Sequence, residues 1–123
     1  MAVAPDKFAQ AINKVLSDYE KGLIADVETL NRKLTRTGVS EVKRASGQFG
    51  GSGAYAKGWT SKFESKRLSS QGTIYNKDLP GLPHLLEHGH AMRGGGRVPG
   101  RAHIAPVEEK LIKEFEKAVE KAV

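Results

Sequence analysis

Between residues 8 and 34 an apolar side chain recurs every third or fourth position, and this leaves the chain little choice about how it begins to fold. Phe8, Ile12, Leu16, Tyr19, Leu23, Val27, Leu30 and Leu34 are spaced 4, 4, 3, 4, 4, 3 and 4 apart. That spacing keeps them on one face of an α-helix. Pro5 and Asp6 suit the first turn and the N-cap. Gly38 offers a stop, but Val42 and Ala45 resume the pattern, so the helix is predicted over 6–45. At 1.5 Å per residue it would be about 60 Å long. A chain of 123 residues folded as one compact domain is much narrower than that. Part of the stripe is therefore expected to pack against another subunit.

The rest divides readily. Residues 46–53, S-G-Q-F-G-G-S-G, read as a flexible break. Trp59, Ser61 and Phe63 then alternate with Thr60, Lys62 and Glu64, which predicts a strand over 58–66. Ser69, Ser70, Gln71 and Gly72 suggest a turn, with the strand returning over 72–77. Two strands alone are marginal and need a helix across one face. A short helical turn at 82–87 is stopped by Gly89, and Pro106 with Glu108 and Glu109 opens a last amphipathic helix carrying Val107, Leu111, Phe115, Ala118 and Ala122. The expected fold is α+β, a single domain over 1–123. In it the long N-terminal helix lies across a small antiparallel sheet, with the short helix and the C-terminal helix packed alongside. The expected core is Trp59, Tyr75, Leu85, Leu86, Leu111 and Phe115, with Trp59 as the anchor between strand and helix.

Composition closes off several classes. Apolar residues make up 38% and charged residues 28%, which suits a folded domain rather than a disordered chain. No run approaches the roughly 20 apolar residues of a membrane span, and no secretion signal is visible at the N-terminus. There is no cysteine, so neither disulfides nor thiolate metal ligands arise. An intracellular protein with no membrane contact is the expectation. The net charge of +6 is uneven: residues 29–107 hold thirteen Lys and Arg against four acids, while both ends carry slightly more acid than base. The middle of the chain should face something negative, either nucleic acid or an acidic protein surface.

Three of those arginines lie in residues 81–106, G-L-P-H-L-L-E-H-G-H-A-M-R-G-G-G-R-V-P-G-R-A-H-I-A-P, where no acid follows Glu87. The glycines predict a mobile basic loop over about 89–103, anchored at both ends. Its Arg93, Arg97 and Arg101, with His88 and His90, are the candidate partner-facing residues. His84-Leu-Leu-Glu87-His88 matches the H-x-x-E-H zinc signature. Pro83 and Gly89 bracket it too tightly for a rigid helix, and a third ligand would have to come from loop residues His90 or His103. No working metal site is expected. The Arg-Gly run would suit nucleic-acid backbones. It carries no aromatic residue for base stacking, and no Gly-Lys-Ser or Gly-Lys-Thr follows the glycines. No catalytic residue, cofactor or enzyme activity emerges.

Tyr55-Ala-Lys-Gly-Trp59, Ile74-Tyr75-Asn76, Leu85-Leu86-Glu87-His88-Gly89-His90, and the run from Gly94 through Arg97, Arg101 and His103 to Pro106 occur in that order over nearly the whole chain. In this the sequence resembles the gene-product-ten-like tail-component family of tailed bacteriophages. The resemblance implies a structural virion protein, made in the host bacterial cytoplasm, that joins head to tail within a neck or tail-completion ring. Its implied partners are further copies of itself, the head connector and tail proteins, with contact to the passing DNA. The alternative is a non-specific DNA-binding protein acting through its Gly/Arg loop.

Overall fold

A computed structural model describes residues 5–122 of the chain. Residues 1–4 lie outside the described backbone, and the side chains of the expected cap Asp6 and of the stripe positions Phe8 and Ala122 lie outside the described side chains. The architecture is α+β, as expected. Helix α1 spans Pro5–Ser46 and leads through a 3-10 turn, Gly47–Phe49, into the one-turn α2, Ala54–Lys57. Strands β1, Trp59–Ser65, and β2, Ser70–Asn76, follow; then come α3, Leu82–His88, strands β3, Gly89–Ala91, and β4, Arg97–Pro99, and finally α4, Ala105–Ala122.

Strands β1 and β2 pair antiparallel, Trp59 opposite Asn76 and Ser65 opposite Ser70. The hairpin turns earlier than the serines suggested. Lys66 N–H donates to Ser69 O at 2.7 Å, so Arg67 and Leu68 form the tip and Ser70 already belongs to β2. Strand alternation then sorts the side chains. Trp59, Ser61, Phe63, Gly72, Ile74 and Asn76 share one face, and α1 packs there. Tyr75 falls on the other face, 40% exposed, with the Lys62 ammonium 5.9 Å from its ring centre. Tyr75 is therefore not core, because its register partner Thr60 is the neighbour of the inward-facing Trp59.

Gly38 does not end α1; it is buried inside it. A Cβ there would lie 2.5 Å from Ile74 Cδ1 and 2.8 Å from Leu111 Cδ1, so the missing side chain lets β2 and α4 reach α1 at one crossing. Gly72 is the matching concession on β2, since a Cβ there would collide with the Thr35 side chain of α1. Lys110 on α4 pairs with Glu41 on α1 at 2.7 Å on the outer side of the same contact.

The densest packing lies at the C-terminal end of α1. Val42, Tyr55 and Trp59 are at most 7% exposed, ringed by Val39, Phe49, Ile74, Leu79, Leu82, Leu86 and Ile104. Residues 46–53 are more than a flexible break. Gly50, Gly51 and Gly53 take positive φ to reverse the chain, and Phe49 contributes its ring to the core, 4.7 Å from His103 and 5.8 Å from Tyr55. Trp59 is 4% exposed and its Nε1–H donates to Ser46 Oγ at 2.8 Å, so it anchors strand to helix as expected. Leu86, Leu111 and Phe115 are half-buried. Leu85 is a correction: α3 turns Leu82 and Leu86, one helical turn apart, toward the core, which leaves Leu85 39% exposed.

Gly72→Val should cost about 1–3 kcal/mol by overpacking against Thr35. Denaturant titration would measure it, and no loss of stability would mean that β2 and α1 do not approach as closely as described.

Candidate interaction surface: a basic hairpin and its mount

The glycine-rich segment is not a structureless loop. Gly89, His90 and Ala91 pair with Pro99, Val98 and Arg97, and Met92 N–H closes the turn onto Gly96 O at 3.0 Å. The result is a short antiparallel hairpin standing on α3. Gly89 makes the joint. Its φ of +79° turns the chain out of the helix, its N–H donates to Leu85 O, and a Cβ would strike the Val98 carbonyl. Returning from β4, Arg101 N–H donates to Leu86 O at 2.8 Å.

All five partner-facing candidates sit on this unit. His88 ends α3, His90 lies on β3, Arg93 is in the turn, Arg97 is on β4 and Arg101 follows it, and all are exposed. They are not equivalent. Arg97 donates to the His88 carbonyl at 2.9 Å, at the C-terminal end of α3, and so braces the hairpin on its own chain. Arg93 and Arg101 make no ion pair among the described residues. The rings of His84 and His88 lie 4.8 Å apart on the exposed face of α3.

The base of the hairpin is closed by Glu87, the glutamate of the H-x-x-E-H match. Its Oε1 accepts the backbone N–H of His103 at 2.8 Å and of Ile104 at 2.9 Å, and its Oε2 accepts that of Ala105 at 3.1 Å. These are orphan donors at the start of α4, so a carboxylate from sixteen to eighteen residues away acts as the cap. Both oxygens are engaged in this way. Among the described residues no three His, Asp or Glu side chains converge as a metal would require. His103, considered above as a further ligand, is buried instead, 1% exposed.

His103 continues the tie inward. Its Nδ1 lies 2.9 Å from both Glu87 Oε1 and Arg101 O, and its Nε2 lies 2.6 Å from the Tyr55 hydroxyl. With two acceptors on one side, Nδ1 carries the proton, and Nε2 accepts from Tyr55. Burial pushes the Tyr55 phenol up to about 12; a hydrogen bond from Ser46 works against this, and the nearby Glu87 charge adds to it. Tyr55 is thus a neutral donor near pH 7. Ser46 in turn accepts from Trp59. Trp59, Ser46, Tyr55, His103 and Glu87 form one buried polar chain linking α1, α2, β1, α3 and the start of α4.

None of Glu87, Tyr55, Ser46 or His103 stood out as a structural pivot in the sequence. The available signals were Tyr55 and Trp59 spaced by four, and a histidine three residues before the proline that opens the last helix.

Burial raises the Glu87 carboxyl, but the amides of His103, Ile104 and Ala105 and the His103 ring outweigh it and hold the group below its ordinary value. A carboxylate held low in the folded state contributes stability that is present above its unfolded value, near 4.3, and lost as pH falls through the folded one. Acid titration of stability should therefore show a loss below about pH 4 that is blunted in Glu87→Gln. That variant should also be about 1–3 kcal/mol less stable at pH 7. Identical acid profiles for the two proteins would remove Glu87 from this role. Comparison with family models, curated proteins and solved structures finds no match to this chain.

Proposed function

We propose that this chain is a structural virion protein of a tailed phage or prophage, a subunit of the neck or tail-completion ring that joins head to tail. One observation carries the proposal. Among the described residues nothing packs on α1 before Leu23. Every residue whose burial is described between positions 7 and 22 is exposed, with Ile12 at 43%, Val15 at 67%, and Leu16 and Tyr19 at 60%. An amphipathic helix this long is stabilised mainly by burying its apolar stripe, and intrinsic propensity adds little. A contiguous apolar stripe on a free helix marks a protein interface. Subunits that meet through such extensions, and that carry a separate basic hairpin at the other end of the helix, have the makings of a repeating assembly.

The motif order set out above supplies the phage context, and the basic hairpin offers a surface for acidic neighbours. DNA is the competing partner for that hairpin. Arg93 and Arg101 would suit phosphates as readily as carboxylates, but the hairpin has no aromatic side chain on which a base can stack.

The stripe provides the test. Leu16→Glu with Tyr19→Glu should leave the melting of the isolated protein within about 0.5 kcal/mol of the parent, because both side chains are exposed. The same double variant, supplied to a phage lacking the native copy, should yield filled heads and free tails that fail to join, as seen by electron microscopy. Normal particles, with a loss only of salt-sensitive DNA binding, would favour the DNA-binding alternative.

A further inference from the structure

A ring built from identical subunits needs two unlike surfaces on each subunit that fit one another. Two such surfaces are present. The first is a groove between β2 and α4. Helix α4 lies on α1 beside β2, leaving a cavity of about 460 Å³ walled by Val42, Trp59, Ile74, Val107 and Leu111. The groove runs on through a further 430 Å³ past Leu34 and Phe115. Among the described residues, the only charged ones lining either part are Glu108 and Glu116, both on α4.

One wall of the groove is an unpaired strand edge. Lys77 N–H donates to Gly58 O and Lys66 N–H to Ser69 O, so the ladder bonds fall on Thr60–Tyr75, Lys62–Thr73 and Glu64–Gln71. The backbone groups of Gly72 and Ile74 therefore point away from β1. An edge of this kind takes an extended segment as an added strand.

The second surface is the β3–β4 hairpin. It is extended and exposed, it carries Met92 at 52% and Val98 at 37% exposure, and residues 88–107 contain no acid. Arg93 and Arg101 supply the charge that Glu108 and Glu116 lack. The free half of α1 matches the groove less well, since it carries Lys7, Lys14 and Lys21 beside Asp18 and Glu20 and so presents both signs.

We propose that the β3–β4 hairpin of one copy docks in the β2–α4 groove of the next, with Arg93 and Arg101 facing Glu108 and Glu116. This rests on the ring assembly proposed above and assigns its head-to-tail contact. A heterologous contact of this kind repeats around an axis until it closes. Apolar Met92 and Val98 enter the groove, and the ion pairs on its rim set partner choice.

The chain has no native cysteine, which makes cross-linking clean. A protein carrying both V98C and I112C should give a ladder of covalent multimers on oxidation, and each single variant should give none. E108R/E116R and R93E/R101E should each weaken self-association about tenfold by sedimentation, and mixing the two should restore it, because every contact is then complementary again. Multimers that form without the ladder, or charge variants that do not rescue one another, would overturn this contact while leaving the ring in place. A parent protein that remains monomeric at every attainable concentration would overturn the contact and the ring together.

Discussion

The Glu87 carboxylate is the point on which the second half of this structure depends. It accepts three successive amides at the start of α4 and lies against the His103 ring. A single side chain thereby caps one helix, closes the base of a hairpin and sets the tautomer of a buried histidine. Burying a carboxylate is costly unless its oxygens are matched by donors. Here the donors are backbone groups at a helix start, which would themselves need partners. Each side resolves the other's deficit. The chain then passes through His103 and Tyr55 to Ser46 and Trp59 and ends on the last residue of α1. Among the described residues no buried side-chain polar atom lacks a partner. Networks of this kind are most costly when half broken, so they favour one arrangement of the elements over near alternatives.

With that network at one end, the molecule is strongly asymmetric along α1. The C-terminal half of the helix carries the sheet, α4 and the aromatic cluster of Phe49, Tyr55, Trp59 and His103. Toward the N-terminus the cover runs out. Leu23, Ile24 and Val27 are half-buried beside the β1–β2 tip, and the described side chains before them are exposed. Arg32 marks the last firm grip, its guanidinium 4.1 Å over the Phe63 ring and paired with Glu28 at 3.2 Å. A fold that leaves so much of its longest element outside its own core gains stability only when something else covers that element, which couples folding of the extension to assembly.

The hairpin follows the opposite logic. It is short and rich in glycine, and it buries little of its own. It is held through its base by the Glu87 amide bonds, the Arg101 N–H bond to Leu86 and the Arg97 bond to His88. A rigid mount with a deformable tip suits a surface that must adapt to a partner, since the register is set in advance and only the turn has to adjust.

What the residues alone determined was whatever depends on local periodicity. The length of α1, the strand over 59–65, the stop of α3 at Gly89 and the start of α4 near Pro106 all follow from spacing and from the conformational limits of Gly and Pro. The five candidates proposed to face a partner were picked out because charge and glycine content are visible without a fold. Tertiary structure decided the rest. Tyr75 and Leu85 are apolar enough for a core, but the register of β2 and the two inward leucines of α3 leave both outside. Residues 89–103 read as a loop because glycine-rich sequence has no intrinsic strand preference. They form a hairpin because α3 and the cap on α4 bring its two ends together. Glu87 looked like part of a metal motif, since H-x-x-E-H is a local pattern, whereas its three partners lie sixteen to eighteen residues further along. Sequence order carries interactions within a turn or a strand pair. A contact that closes a long loop exists only once the chain has folded, because its partners share no periodicity by which they could be recognised.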